Sequence, residues 1–267
     1  MSKIAIISDI HSNPTALLTV LEDVEKQKCD RIVCLGDIVG YGYDPNACID
    51  ICREREIDCF LGNHDASLVS SLSLDWFNPF AKNAILRQRP LVTEENKKWL
   101  ARLPCNRREG ENAFAHGVYV PYMLSMQPVS AHFEYVNGYS DAALQCRTMA
   151  ICRIRNLFVG HTHWANAFVQ DNSGEIKELF IDAEDENPID LSWFRRSIVN
   201  VGSVGFPRNQ PYSIYGILDS DKNIFKHRLI PFDFDDYTAK MEAADAEIPL
   251  WIQSQKTRAE ERQIGFR

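Results

Sequence analysis

Lys3-Ile4-Ala5-Ile6-Ile7-Ser8-Asp9-Ile10-His11 opens on a short apolar run and ends on a carboxylate and an imidazole. A run of that length, rich in Ile, predicts a strand buried on both faces. Asn13-Pro14 follows, pairing a helix N-cap with proline at the first helical position. Leu17, Leu18, Leu21 and Val24 then recur at helical spacing. Arg31 to Leu35 repeats the strand signal and ends at Gly36-Asp37, and Asp44-Pro45 repeats the cap. Cys59 to Leu61 reads as a third strand, ending at Gly62-Asn63-His64-Asp65. The first 65 residues are thus β-α-β-α-β, and right-handed crossovers make the three strands parallel. Each strand delivers polar side chains just past its C-terminal end, where open α/β sheets bind their ligands.

Beyond residue 65 the character changes. Trp76, Phe77, Phe80, Ile85, Leu86, Trp99 and Leu100 suggest a helical insert over about 66–111, with Thr93 capping its last helix. Asn112 to Ala115 returns to strand and ends at His116-Gly117. A helix is expected over 140–151, and a strand over 157–159 that ends at Gly160-His161-Thr162-His163. Residues 167–181 and 213–230 read as hairpins, with a strand at 197–201 between them. The tail from about Tyr237 is helical in composition. The expected class is α/β (α+β by some schemes): two packed mixed β-sheets flanked by helices, forming one domain over residues 1–267.

The bulk numbers narrow the function. A chain of 267 residues with 45% hydrophobic content can build a full core. Its formal net charge is -8 with no long basic run, which argues against strong duplex nucleic-acid binding. No apolar stretch reaches membrane-spanning length, and the N-terminus lacks a signal-peptide plan, so a cytoplasmic protein is expected. The eight cysteines include no Cys-x-x-Cys pair and read as reduced, buried thiols.

Five stretches carry the chemistry: Asp9-Ile10-His11, Gly36-Asp37, Gly62-Asn63-His64-Asp65, His116-Gly117 and Gly160-His161-Thr162-His163. Alone, an Asp-x-His pair is usually a turn, and Gly-Asp or His-Gly says almost nothing. Together they hold five of the seven histidines with Asp and Asn oxygens. That is a donor set for two transition-metal ions, which can make a hydroxide and clamp a phosphate when about 3.5–4 Å apart.

The order D-x-H, G-D, G-N-H-[DE], H, G-H-x-H resembles the calcineurin-like metallophosphoesterase superfamily. Gly36 to Gly42 and Asn200 to Arg208 are similar to its small prokaryotic phosphodiesterase or phosphatase branch, although the usual Asn-Pro-Gly-Ser stands here as Asn200-Val201-Gly202-Ser203. The resemblance implies a ligand set. Asp9, His11 and His163 hold one divalent ion, and Asn63, His116 and His161 the other (Mn, Fe, Zn or Ni, with Mn the expected activator). Asp37 bridges both through its two carboxylate oxygens. A metal-bridging hydroxide attacks phosphorus, with His64 as general acid and Asp65 orienting His64 and raising its pKa. Asn63, Asn13 and Arg208 are candidate substrate contacts.

The expected substrate is a phosphorylated small molecule or nucleotide. Protein phosphatases of the superfamily carry Arg in G-D-x-x-D-R-G, and Gly36-Asp37-Ile38-Val39-Gly40-Tyr41-Gly42 lacks it. Phosphodiesters or nucleotides are therefore favoured. A phosphomonoesterase or protein phosphatase, a nuclease and a non-catalytic regulator with a vestigial site stand as alternatives.

Overall fold

The computed structural model describes residues 3–122, 127–180, 187–208, 211–249 and residue 252. Two six-stranded sheets form it. In the first, β1 (Lys3–Ile7) and β2 (Arg31–Cys34) run parallel, as do β2 and β3 (Asp58–Cys59). The hairpin of β11 (Tyr212–Asp219) and β12 (Ile224–Pro231) adds antiparallel to β1, and β9 (Ile189–Asp190) closes the far edge. The second sheet runs β4 (Asn106–Glu109), β5 (Asn112–Ala115), β6 (Asn156–Val159), β10 (Arg196–Asn200), β7 (Asn166–Gln170) and β8 (Ile176–Phe180).

Strand alternation explains why the opening run is apolar throughout. Ile4 and Ile6, with Val33 and Leu35, pack against Phe114, Phe158, Val169 and Val199 between the sheets. Ala5, Ile7 and Cys34 face the other way, onto α1 (Pro14–Lys26) and α2 (Pro45–Glu54). On the outer face of the second sheet, Ala113, Leu157 and Ile198 pack against α6 (Tyr139–Ile151). The result is α/β/β/α layering, with both sheets sandwiched between helices. Asn13 and Asp44 cap α1 and α2, each accepting the amide three residues on.

Several boundaries differ from expectation. The β3 ladder stops at Cys59, and the Leu61 amide donates to the Pro104 carbonyl instead. The stretch after α3 (Asn63–Leu68) does hold α4 (Pro79–Gln88) and α5 (Glu94–Leu100). Its last residues, however, are the strand β4, whose Arg-Arg-Glu sequence hides it from a hydrophobic-pattern reading. Two of those three charges sit in ion pairs, Glu109 with Arg31 and Arg107 with Asp58, while Arg108 donates to Gly110 O. The final described helix, α7 (Phe234–Ala243), starts earlier than expected and ends after ten residues. The expected helical tail beyond it falls largely outside the described residues. All eight cysteines are free. Among the described residues no helix is long and apolar enough to cross a membrane.

Candidate metal centre

All five chemical stretches converge at one rim, on loops that leave C-terminal strand ends in both sheets. Main-chain bonds lace those loops together: Asp9 N donates to Gly36 O (3.0 Å), His11 N to Asp37 O (2.9 Å) and Gly160 N to His116 O (2.9 Å). Two glycines are needed for the close approach. A Cβ on Gly160 would lie 2.0 Å from Ser8 Oγ, and one on Gly62 would lie 2.1 Å from Asp37 Oδ1. The rim also concentrates backbone that side chains rarely adopt. Asp9, His11, Ser12, Asp37, Tyr41, His161 and His163 all have φ between 48° and 68°. Such residues persist only where their surroundings over-determine them.

The side chains form two groups joined at Asp37. In the first, Asp9 Oδ1 lies 3.2 Å from His163 Nε2 and 3.6 Å from His11 Nε2, and the two imidazole nitrogens are 3.1 Å apart. In the second, His116 Nε2 lies 3.1 Å from both Asn63 Oδ1 and His161 Nδ1. Asp37 Oδ2 stands 3.7 Å from His11 Nε2 and 3.3 Å from His116 Nε2. All seven residues are at most 9% exposed.

Proton placement decides what this cluster can hold. A backbone carbonyl only accepts, so the ring nitrogen facing one must carry the proton. His11 Nδ1 faces Val39 O (3.0 Å), His163 Nδ1 faces Phe206 O (2.6 Å) and His161 Nε2 faces Phe133 O (2.9 Å). In their neutral forms His11 Nε2, His163 Nε2 and His161 Nδ1 are therefore bare lone pairs aimed inward. Asp9 Oδ1, equally buried, has no hydrogen-bond partner. Lone pairs and carboxylates packed at such range repel one another unless cations sit among them. The outer carbonyls are the kind of partner that orients metal-ligating histidines, and the residues present fit a pair of divalent ions.

The electrostatics agree. Burial pushes the Asp9 and Asp37 carboxyls upward, but the facing histidines, His163 for Asp9 and His116 for Asp37, overcome it and hold both below the usual range. Burial lowers His161 to about 3, with His116 adding to it. For His116 burial acts downward, yet Asp37 and Asp9 raise it to about 9.

Three expectations are corrected. Both Asp37 oxygens were expected to face the two groups; Oδ2 lies near both, while Oδ1 accepts the His64 amide at 2.8 Å. Asp65 does not orient the His64 ring. Its Oδ1 accepts the Ile38 and Val39 amides and its Oδ2 the Gly62 amide, so it staples the second and third loops together. Nor does it raise the pKa of His64, which burial pushes well below 6.5 against an opposing pull from Asp37. Asn13, expected at the substrate, is tied into the fold: Oδ1 caps α1 and one Nδ2–H donates to Gly205 O.

The remaining candidates lie at the rim. His64 is 4% exposed and packs edge-on against His11 and Phe77, with a buried, unpartnered Nδ1. The positive charge of Arg208 acts on the hydroxyls of Tyr41 and Tyr135 and on His163.

Four residues assigned no site role also shape this rim. Asn200 Nδ2 reaches Thr162 Oγ1 (2.9 Å) and holds the His161–His163 loop. Ser203 Oγ donates to Asp9 O (2.9 Å) and accepts the Phe206 amide (3.0 Å). Gln88, fully buried on α4, accepts from Gly40 N and Ser12 Oγ and donates to Gly42 O. Its signal was a polar residue in register with Ala81, Ala84 and Ile85. Tyr135 stacks on His161 with centroids 3.9 Å apart, and no sequence pattern marks it.

A family model for the calcineurin-like phosphoesterase superfamily domain matches residues 2–223. The chain belongs to that superfamily. Its members are hydrolases of phosphoester bonds that normally bind divalent metals. An uncharacterized protein of Methanocaldococcus jannaschii is 32% identical over 256 residues, covering 94% of this chain and 96% of that one. The crystal structure of a metallophosphoesterase from Sphaerobacter thermophilus matches with a TM-score of 0.76 at 31% identity, covering 94% and 96%. A hypothetical protein from Pyrococcus horikoshii OT3 shares the fold, with a TM-score of 0.68 at 16% identity over the same shares. The calcineurin-like phosphoesterase is thus an enzyme with a candidate Asp/His metal cluster at its rim.

Proposed function

We propose that this enzyme hydrolyses phosphodiesters or nucleotides using two divalent transition-metal ions, manganese being the expected activator among Mn, Fe, Zn and Ni. One observation carries the reading: a single oxygen, Asp37 Oδ2, joins two groups of inward-facing donors. Asp9, His11 and His163 would hold one ion, Asn63, His116 and His161 the other, and Asp37 would serve both. Bound there, the pair supplies Lewis acidity and lowers the pKa of water.

The chain's own residues supply the rest. His64 is the proton donor to the leaving oxygen. Burial keeps its free imidazole neutral, but an anionic substrate beside it favours the charged form, as Asp37 already does. Asp65, through three backbone amides, fixes the loop that presents His64 and Asn63. Arg208 contacts phosphate oxygens in place of the arginine absent between Gly36 and Gly42. Tyr135 and Trp164, 46% and 47% exposed beside His161 and His163, offer faces for an organic substituent on the phosphate. The eight free thiols suit a reducing compartment, in keeping with action in the cytoplasm.

Turnover of bis- and mono-p-nitrophenyl phosphate by the Mn²⁺-loaded enzyme tests the substrate class. The diester is expected to win by about tenfold or more in kcat/KM. Dominant monoester turnover would make the protein a phosphomonoesterase.

A further inference from the structure

The opposite end of the second sheet carries a second charged feature that the phosphoesterase chemistry does not use. Arg155 stands immediately before β6 and Arg196 opens β10, while Arg153 and Arg195 precede them. All four line a shallow depression of about 380 Å³, together with Phe194 and a lone carboxylate, Glu111. Arg155 lies six residues upstream of His161, so at about 3.3 Å per strand residue the depression is roughly 20 Å from the metal centre. It belongs to a different site.

Four guanidiniums in one hollow are unexpected on a chain of net charge -8. Like charges gathered this way normally sit among carboxylates. Here the observed partners of the two inner arginines are uncharged. Arg155 Nη2 donates to Ser192 O and Phe194 O, and Arg196 Nη1 donates to Gln170 Oε1. Those contacts fix the guanidinium planes without neutralising them. Each inner arginine also keeps a buried Nε with no hydrogen-bond partner. Arg153 and Arg195 are exposed, and neither forms an ion pair among the described residues. Fixed guanidinium planes, flanked by two exposed cations, match the oxygens of a phosphate or polyphosphate.

We infer that this depression binds a multiply charged phosphate-type oxyanion, separately from catalysis. Arg155 and Arg196 supply the oriented donors. Arg153 and Arg195 close over the anion and supply most of the long-range attraction.

The Nε–H resonances of Arg155 and Arg196 are local reporters, assignable through Arg155→Lys and Arg196→Lys. They are followed in the metal-loaded protein by two-dimensional ¹H–¹⁵N spectroscopy while inorganic phosphate, pyrophosphate or ADP is added. Saturable shifts of both resonances are expected, with pyrophosphate binding tighter than phosphate. ADP equal to pyrophosphate would identify the polyphosphate as the recognised group. ADP at least tenfold tighter would show that the nucleoside is read as well. In Arg153→Ala/Arg195→Ala the apparent Kd should weaken by about tenfold or more. Hydrolysis of bis-p-nitrophenyl phosphate should stay unchanged, which separates this site from the catalytic one. Resonances that stay still, or drift without saturating, would overturn the inference. So would a double variant that binds like the parent.

Discussion

The two ends of the same strands use one backbone conformation for opposite purposes. At the N-terminal end, Lys28, Glu56 and Arg153 have φ of 56°, 51° and 55°, each just after the last turn of α1, α2 or α6. All three are followed by the same closing bond: Cys29 N to Val24 O, Ile57 N to Cys52 O and Ile154 N to Met149 O. Left-handed backbone there is a helix stop that satisfies orphan carbonyls. At the C-terminal end, Asp9, His11, Asp37, His161 and His163 adopt similar angles outside any helix end. They gather buried charge and leave Asp9 Oδ1 and His116 Nδ1 without partners. One end uses these angles to stop helices, whereas the other uses them where no helix ends, to turn carboxylates and imidazoles toward one another. Strain that serves no helix stop marks the end where the phosphoesterase chemistry is placed.

Asp37→Asn should separate the ends most sharply. Asp37 Oδ2 lies near imidazoles of both groups. The expected result is loss of bound metal by elemental analysis and at least a hundredfold fall in hydrolysis, on the order of a lost catalytic group. Chelation of the parent should do the same and lower Tm, because ions bound only to the native state stabilise it by mass action. Full metal content in Asp37→Asn would mean that the two groups do not share this residue. Next in size is His64→Ala. Metal should stay bound while kcat falls about 10²-fold for esters with poor leaving groups, and less for p-nitrophenolate. Equal rates for every ester would remove His64 from proton transfer.

Much of this was readable before any coordinates. The β-α-β-α-β opening was legible because its strands are buried on both faces and its helices carry Asn-Pro and Asp-Pro starts. The donor stretches were legible because four of the five follow a short apolar run. What stayed hidden has physical causes. β4 is an edge strand whose polar side chains satisfy one another in ion pairs, so no apolar alternation marks it. Asp65 looked like a partner for His64 because the two are adjacent. Yet α3 begins there, and a carboxylate three residues past Gly62 turns back to cap it. Asn13 looked available, but its amide nitrogen meets Gly205, 192 residues away, a contact no local pattern encodes. Tyr135 reaches His161 because the turn around Phe133, whose carbonyl meets His161 Nε2, lies against that loop.

Gln88 probes how the C-terminal strand ends are held. It connects the loops after β1 and β2 from α4, so the helical stretch acts as a clamp as well as a neighbour. Gln88→Leu fills the space but strands Gly40 N and Ser12 Oγ, while Gly42 O keeps its bond from Arg87, costing about 1–3 kcal/mol by the usual penalty for buried unpaired groups. A fall in kcat at unchanged KM should accompany the drop in Tm, because Gly40 packs directly against His64. A fall in Tm with kcat intact would make Gln88 purely a stability residue.

The smallest effect belongs to the other end. Lys28 is exposed, and its left-handed angle serves only to stop α1. A side chain there costs about 1–2 kcal/mol that glycine avoids, while glycine's greater freedom in the unfolded chain returns about 0.5–1 kcal/mol of that. Lys28→Gly should therefore stabilise by roughly 0.5–1 kcal/mol, raising Tm by about 2 °C for a domain of this size. Hydrolysis and metal content should not change. The same exchange at His163 would remove a donor and the carbonyl contact that orients it. If Lys28→Gly lowered activity, the two ends would be coupled, and strain could not be assigned to structure at one and to chemistry at the other.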